Sequence, residues 1–187
     1  TGVQTCALPI YDLLYDAKVL NRYFRNMDAS PLAKRNSLQL FTDGQEKFQA
    51  LFEDIRAAKE TVHVEYYAFF NDTIGNQFLD VLIEKLHEGV EVYLIYDPWG
   101  SPGANKKFFA RYVDAGGKVA PFITSRDMIR KTRLNYHLHR KIVVIDGKIG
   151  WTGGFNVGDQ YLNVTEKFGY WRDTHIRLVG TAVFSLQ

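Results

Sequence analysis

One stretch constrains this 187-residue chain more than any other: His137-Leu-His139-Arg-Lys141-Ile-Val-Val-Ile-Asp146-Gly-Lys-Ile-Gly-Trp-Thr-Gly153-Gly154-Phe-Asn156. Ile142 to Ile145 is an unbroken β-branched run closed by a turn signal, so residues 137–145 are expected to form a strand. A strand's period of two puts His139 and Lys141 on one face. At about 3.3 Å per residue their Cα atoms lie roughly 6.6 Å apart, so both side chains can bracket one phosphate. Asp146-Gly147 is the favoured pair for a two-residue type I′ hairpin, with residues 148–152 as the returning strand. Gly153 and Gly154 follow, where missing Cβ atoms let backbone N–H groups approach an anion, and Asn156 donates beside them.

Displacement at a phosphodiester needs an uncharged nucleophile, positive charge on the non-bridging oxygens and a proton for the leaving alkoxide. Neutral His139 is the candidate for the first. Lys141, Asn156 and the glycine N–H groups are candidates for the second. The third has no candidate in this chain, because none of the other histidines (His63, His87, His137, His175) begins a second His-x-Lys-x4-Asp string. A carboxylate should hold the imidazole in one tautomer. Asp146 is the obvious name, but it occupies the hairpin turn, where backbone bonds are its expected work. Asp173, which leads into an expected strand at 174–179, is the better candidate for the orienter. His63, His87 and His175 are read as core or turn histidines, and His137 as either a partner behind His139 or a surface residue. No paired Asp-x-Asp and no His/Cys ligand spacing occurs, so neither metal nor cofactor is called for.

The pattern His-x-Lys-x4-Asp-x6-Gly-Gly-x-Asn resembles the signature of the phospholipase D superfamily. Residues 62–67, 88–97, 158–162 and 168–175 extend the likeness, over roughly residues 37–187, to the bacterial cardiolipin synthase branch. The resemblance implies an α/β phospholipase D-like lobe in which His139, Lys141 and Asp146 are catalytic and Asn156, Gly153 and Gly154 bind substrate. It also implies two motif-bearing lobes facing across a pseudo-twofold axis, one histidine becoming phosphohistidine and the other acting as acid and then base. This chain then corresponds to the first lobe, inactive or nearly so alone, of a phosphatidyltransferase that joins two phosphatidylglycerols into cardiolipin and glycerol. The implied partners are an anionic phospholipid, a membrane surface and the second lobe. The implied location is a bacterial cell membrane, with the lobe on the cytoplasmic side.

Composition bounds the alternatives. With 46% apolar and 24% charged residues the chain is ordinary for a globular domain, and 23 basic against 21 acidic residues argue against a dedicated nucleic-acid binder. No run reaches the 18 or so apolar residues that a membrane span needs. Residues 1–10 resemble one reading frame of a sequencing-adapter oligonucleotide, the alternative being a disordered leader; on the first reading Cys6, the only cysteine, is not native. Both ends look cut. Residues 11–36 form an N-terminal helical segment and linker, with Leu13, Leu14, Ala17, Leu20 and Phe24 at near-helical spacing. The lobe follows at 37–187, with the motif region at 133–160.

Within the lobe, strands are expected at 37–42, 61–69, 90–96 and 117–122. Helices are expected from Asp43, as N-cap with Glu46 three residues on, to about 59, and at 75–87 and 102–115. Such alternation indicates a layered α/β domain with a mostly parallel sheet flanked by helices, plus the motif hairpin. The basic residues Arg126, Arg130, Lys131 and Arg133 form a solvated face or hold anionic headgroups. The aromatic residues are core by default, with some available for an acyl groove or interface belt. Two other classes remain open: a single-motif homodimeric phosphodiesterase or nuclease (or a hydrolase of the phospholipase D type), and a non-catalytic membrane-binding remnant.

Overall fold

A computed structural model describes residues 15–28, 33–123, 137–164 and 169–187, without the side chains of 15–17 and 27–28. The basic stretch holding Arg126, Arg130, Lys131 and Arg133 lies outside the described residues, as do Cys6, Leu13 and Leu14. In chain order the elements are α1 (Tyr15–Asp28), β1 (Ser37–Phe41), α2 (Gly44–Ala57), β2 (Thr61–Tyr66), α3 (Thr73–His87), β3 (Glu91–Tyr96), α4 (Ala110–Asp114), β4 (Lys118–Pro121), β5 (Lys141–Ile145), β6 (Ile149–Gly153) and β7 (His175–Val179). Single 3-10 turns occupy Asp159–Leu162 and Thr181–Ser185.

The seven strands form one sheet in the order β1-β7-β6-β5-β2-β3-β4. Only β2·β3 and β3·β4 are parallel; β1·β7, β7·β6, β6·β5 and β5·β2 are antiparallel. The sheet is therefore mixed, which corrects the expectation of a mostly parallel one. Helices join the parallel strands, as crossover connections require, but the half containing β5, β6, β7 and β1 pairs without them. The layered α/β class and the motif hairpin are present as expected.

The apolar pattern explains the layers. Val62, Val64 and Tyr66 alternate along β2 toward one face, where Phe48, Leu51 and Ile55 of α2 and Phe78, Leu79 and Leu82 of α3 cover them. Asp43 caps α2, its carboxylate accepting the Gln45 and Glu46 N–H groups at 2.8 and 3.1 Å. On the other face a smaller cluster joins Ile142, Val144 and Val183, with Leu178 and Leu186 against it. All five residues of β5 are buried, so its continuous apolar run sits mid-sheet between β2 and β6.

The hairpin forms as its dipeptide predicts: Asp146 and Gly147 have φ of 51° and 62°, and Lys148 N–H donates to the Ile145 carbonyl at 2.9 Å. The strand before it is shorter than expected, because residues 137–140 leave the ladder. Leu138 N–H turns instead to the carboxylate of Asp97 at 2.8 Å. The expected helix at 102–115 contracts to α4, since Asn105 takes the Lys107 and Phe108 N–H groups onto its side chain, fixing a turn there.

This topology gathers chain ends at one edge of the sheet. Register pairs Tyr66 with Lys141, Ile142 with Thr152 and Gly153 with His175. The exits of β2, β3 and β6 and the entries of β5 and β7 therefore meet at a single place. The Asp146 turn lies at the opposite edge, beside Thr61.

Candidate active site

His139 stands exposed just before β5, and Lys141 opens that strand with only 4% of its surface accessible. The Lys141 Nζ lies 3.4 Å from both Nδ1 and Nε2 of His139 and donates to the His139 carbonyl at 2.9 Å. It is therefore equidistant from the two ring nitrogens, at the long limit of a hydrogen bond. Tyr67, the first residue past β2, closes the arrangement: its ring centroid is 4.7 Å from that of His139, and the Lys141 ammonium lies 5.3 Å from its centre. Burial lowers the Lys141 ammonium below the usual lysine range, and the negative charge of Asp173 partly offsets this.

Asn156 is nearly buried and held in one sense. Its Oδ1 accepts Ala68 N–H at 3.1 Å and its Nδ2 donates to the Tyr161 hydroxyl at 3.0 Å, which leaves a second amide N–H. Ala68 is the residue after Tyr67, and Val157 N–H donates to the Ala68 carbonyl at 3.0 Å. The backbone at 67–68 thus ties Asn156 to the same place as the imidazole.

The glycines do different work from that expected. The Gly154 N–H donates to the Thr174 carbonyl at 2.8 Å, so it is not offered to an anion. What the site requires of both is the absent Cβ. A Cβ on Gly154 would fall 1.9 Å from Asp173 Oδ1, and one on Gly153, at φ 157°, 2.4 Å from the Thr174 carbonyl oxygen. They let β7 and the Asp173 carboxylate approach Lys141.

Asp173 is half-buried, accepts its neighbour Thr174 N–H at 2.7 Å and faces Lys141 electrostatically. No hydrogen bond joins it to His139 among the described residues, so it stands with the ammonium rather than on the ring. Asp146 is elsewhere. Five residues past Lys141, roughly 16 Å along a strand, its carboxylate accepts the N–H groups of Lys59, Glu60 and Thr61 at 2.8–2.9 Å. Burial raises its carboxyl, but these three bonds and Lys148 outweigh that and hold it below the usual range. Its place as a catalytic group is therefore corrected: it locks the hairpin turn to the start of β2.

Three residues of the site carried no signal of their own in the sequence. Asp97, buried at the end of β3, accepts the Leu138 and Trp99 N–H groups, each at 2.8 Å, and its Oδ2 lies 3.5 Å from His137 Nδ1; it anchors the loop that carries His139. Tyr67 and Tyr161 are the others. His175 is a core residue, as read: it is fully buried near Trp151 and Phe155 with neither ring nitrogen hydrogen-bonded. Burial, reinforced by the Lys47 and Lys141 charges, pushes its imidazole down to about 2. His63 packs edge-on against Tyr93, and His87 is exposed at the end of α3. Among the described residues no three His, Cys, Asp or Glu side chains converge as metal ligands would, and no helix is long and apolar enough to cross a membrane.

The fold is shared with solved structures at low identity. NucT from Helicobacter pylori superimposes with a TM-score of 0.60 at 19% identity, covering 81% of this chain and 91% of that one. Phosphatidylserine synthase from Haemophilus influenzae Rd KW20 gives 0.63 at 20% identity, covering 86% of this chain and 37% of that one. Sequence relatives are much nearer. "Cardiolipin synthase" of Oceanobacillus iheyensis is 45% identical over 94% of this chain and 36% of its own length. "Major cardiolipin synthase ClsA" of Bacillus subtilis (strain 168) is 51% identical over 81% of this chain and 32% of its own length. The chain thus spans about a third of the relatives it matches. Residues 51–168, which contain every site residue above except Asp173 and His175, match the family described as "Cardiolipin synthase, PLD-like domain", and the chain belongs to that family.

Proposed function

We propose that this chain is one catalytic lobe of a phosphatidyltransferase that joins two phosphatidylglycerols into cardiolipin and glycerol at a bacterial membrane surface. The observation that carries the reading is the Lys141 ammonium, buried on one side and held 3.4 Å from both ring nitrogens of His139. A phosphodiester entering over exposed His139 would meet a nucleophile and a fixed cation together.

In the first half-reaction a ring nitrogen of His139 forms a P–N bond and the P–O bond to glycerol breaks. An acid must protonate the departing alkoxide. Lys141 and the spare Asn156 N–H take the non-bridging oxygens, whose charge grows in the transition state. In the second half-reaction the hydroxyl of another phosphatidylglycerol gives up its proton, forms a new P–O bond and releases His139. The acid and base fall to a second motif-bearing lobe, since this chain has one His-x-Lys-x4-Asp string. Relatives at 45–51% identity named cardiolipin synthase favour lipid transfer over nucleic-acid cleavage.

The test offers the full-length protein phosphatidylglycerol and, separately, single-stranded DNA. Cardiolipin and glycerol should appear, the DNA should remain intact, and His139→Asn should abolish the product. DNA cleavage with phosphatidylglycerol untouched would overturn the assignment. Robust transfer by the 187-residue chain as a monomer would overturn the need for a second lobe.

A further inference from the structure

The α1 helix takes no part in the site, yet its pattern is the most regular in the chain. At 100° per residue Val19, Leu20, Tyr23 and Phe24 fall within one arc of about 140°. Lys18, Asn21, Arg22, Arg25 and Asn26 fill the opposite side, and together they line one polar groove along the helix. In a helix of the core the apolar arc would be covered. Here all four apolar side chains are exposed, from 50% for Val19 to 56% for Tyr23, and among the described residues Tyr23 packs edge-on against its neighbour Phe24. Among the described residues no hydrogen bond or ion pair joins side chains 18–26 to another element.

We infer that α1 lies in the plane of an anionic lipid surface, its apolar arc among the acyl chains and its basic arc at the headgroups. Charge selects this occupant over a protein groove: Lys18, Arg22 and Arg25 share the polar arc, while the two acidic residues of α1, Asp16 and Asp28, stand at its ends. An aromatic and aliphatic arc opposite one of lysine, arginine and asparagine is the composition of an interfacial helix, and anionic headgroups attract such a face. At 14 residues, about 21 Å long, α1 is too short to span a bilayer and suited to lying on one. The inference does not depend on the chemistry assigned to His139.

Flotation of the 187-residue chain with phosphatidylcholine vesicles, and with vesicles of equal parts phosphatidylcholine and phosphatidylglycerol, tests it. The chain should float with the mixed vesicles and only weakly with the neutral ones. Leu20→Asp combined with Phe24→Asp should weaken partitioning at least about tenfold. Arg22→Gln with Arg25→Gln lies on the solvent side, where folding is undisturbed, and should bring binding to mixed vesicles down toward the neutral level. Near-UV circular dichroism should be the same for all three proteins. Equal binding to both vesicle types, unchanged binding by either double variant, or a loss of self-association in the apolar variant without a change in flotation would overturn the inference.

Discussion

Acid should destabilise this protein through His175 before it protonates most carboxylates. The imidazole is fully buried, finds no hydrogen-bond partner and has Lys47 and Lys141 acting on it with like charge. The folded state therefore refuses a proton until about pH 2, whereas an unfolded chain binds it near the ordinary value of 6.5. The sign follows directly. Above pH 7 both states are neutral at this position and His175 contributes nothing. As pH falls below 6.5 the unfolded state gains the proton alone, so stability declines by about 1.4 kcal/mol per pH unit, reaching about 2 kcal/mol by pH 5.

His175→Leu removes the titrating group and suits the apolar surroundings of Trp151 and Phe155 at nearly constant volume. Urea unfolding of both proteins between pH 8 and pH 5, followed by tryptophan fluorescence, isolates the effect, because all other titrations cancel in the difference. The variant should be no less stable at pH 8, since it eliminates two unpartnered nitrogens. It should be more stable by a further 2 kcal/mol or so at pH 5. Parallel stability curves across that range would refute the reasoning.

Asp146→Ala removes the acceptor of three backbone N–H groups, so urea unfolding should show a loss of about 2–4 kcal/mol at pH 7. That contribution is present above the ordinary carboxylate range and lost as pH falls through the lowered folded value, and covalent labelling of His139 in folded Asp146→Ala should persist. Gly154→Ala places a methyl group 1.9 Å from Asp173 Oδ1 and must displace that carboxylate from Lys141. Turnover of the full-length enzyme should fall about tenfold or more, against a melting shift of only a few degrees. Asp173→Asn should lower turnover as strongly as Asn156→Ala; unchanged turnover would end the role given to Asp173.

What the sequence made legible was local. The β-branched run, the Asp-Gly turn and the Asp43 cap each depend on neighbours within a few residues, and each formed. Long-range pairing was not legible: nothing in residues 141–145 says that their β2 partner runs antiparallel, or that β1 returns to close the far side against β7. The early end of the motif strand has the same origin, because Leu138 N–H finds Asp97, 41 residues away, rather than a ladder partner. His139, Lys141 and Asn156 could be picked from their spacing. Tyr67, Asp97 and Tyr161 could not, because an aromatic face or a buried carboxylate acquires its role only when two strand ends meet. Gly153 and Gly154 were marked as places where backbone N–H groups approach an anion, whereas what comes close to them is the β7 backbone and the Asp173 side chain.

The central claim is that the His139 ring receives the phosphatidyl group while Lys141 and Asn156 hold its oxygens. Incubating the full-length enzyme with phosphorus-labelled phosphatidylglycerol, quenching in alkali, where a phosphoramidate survives, and mapping the labelled peptide tests this most directly. Label on His139, lost on mild acid treatment and absent from His139→Asn, is the predicted result. Label on another residue, or cardiolipin formed by His139→Asn at the normal rate, would contradict it.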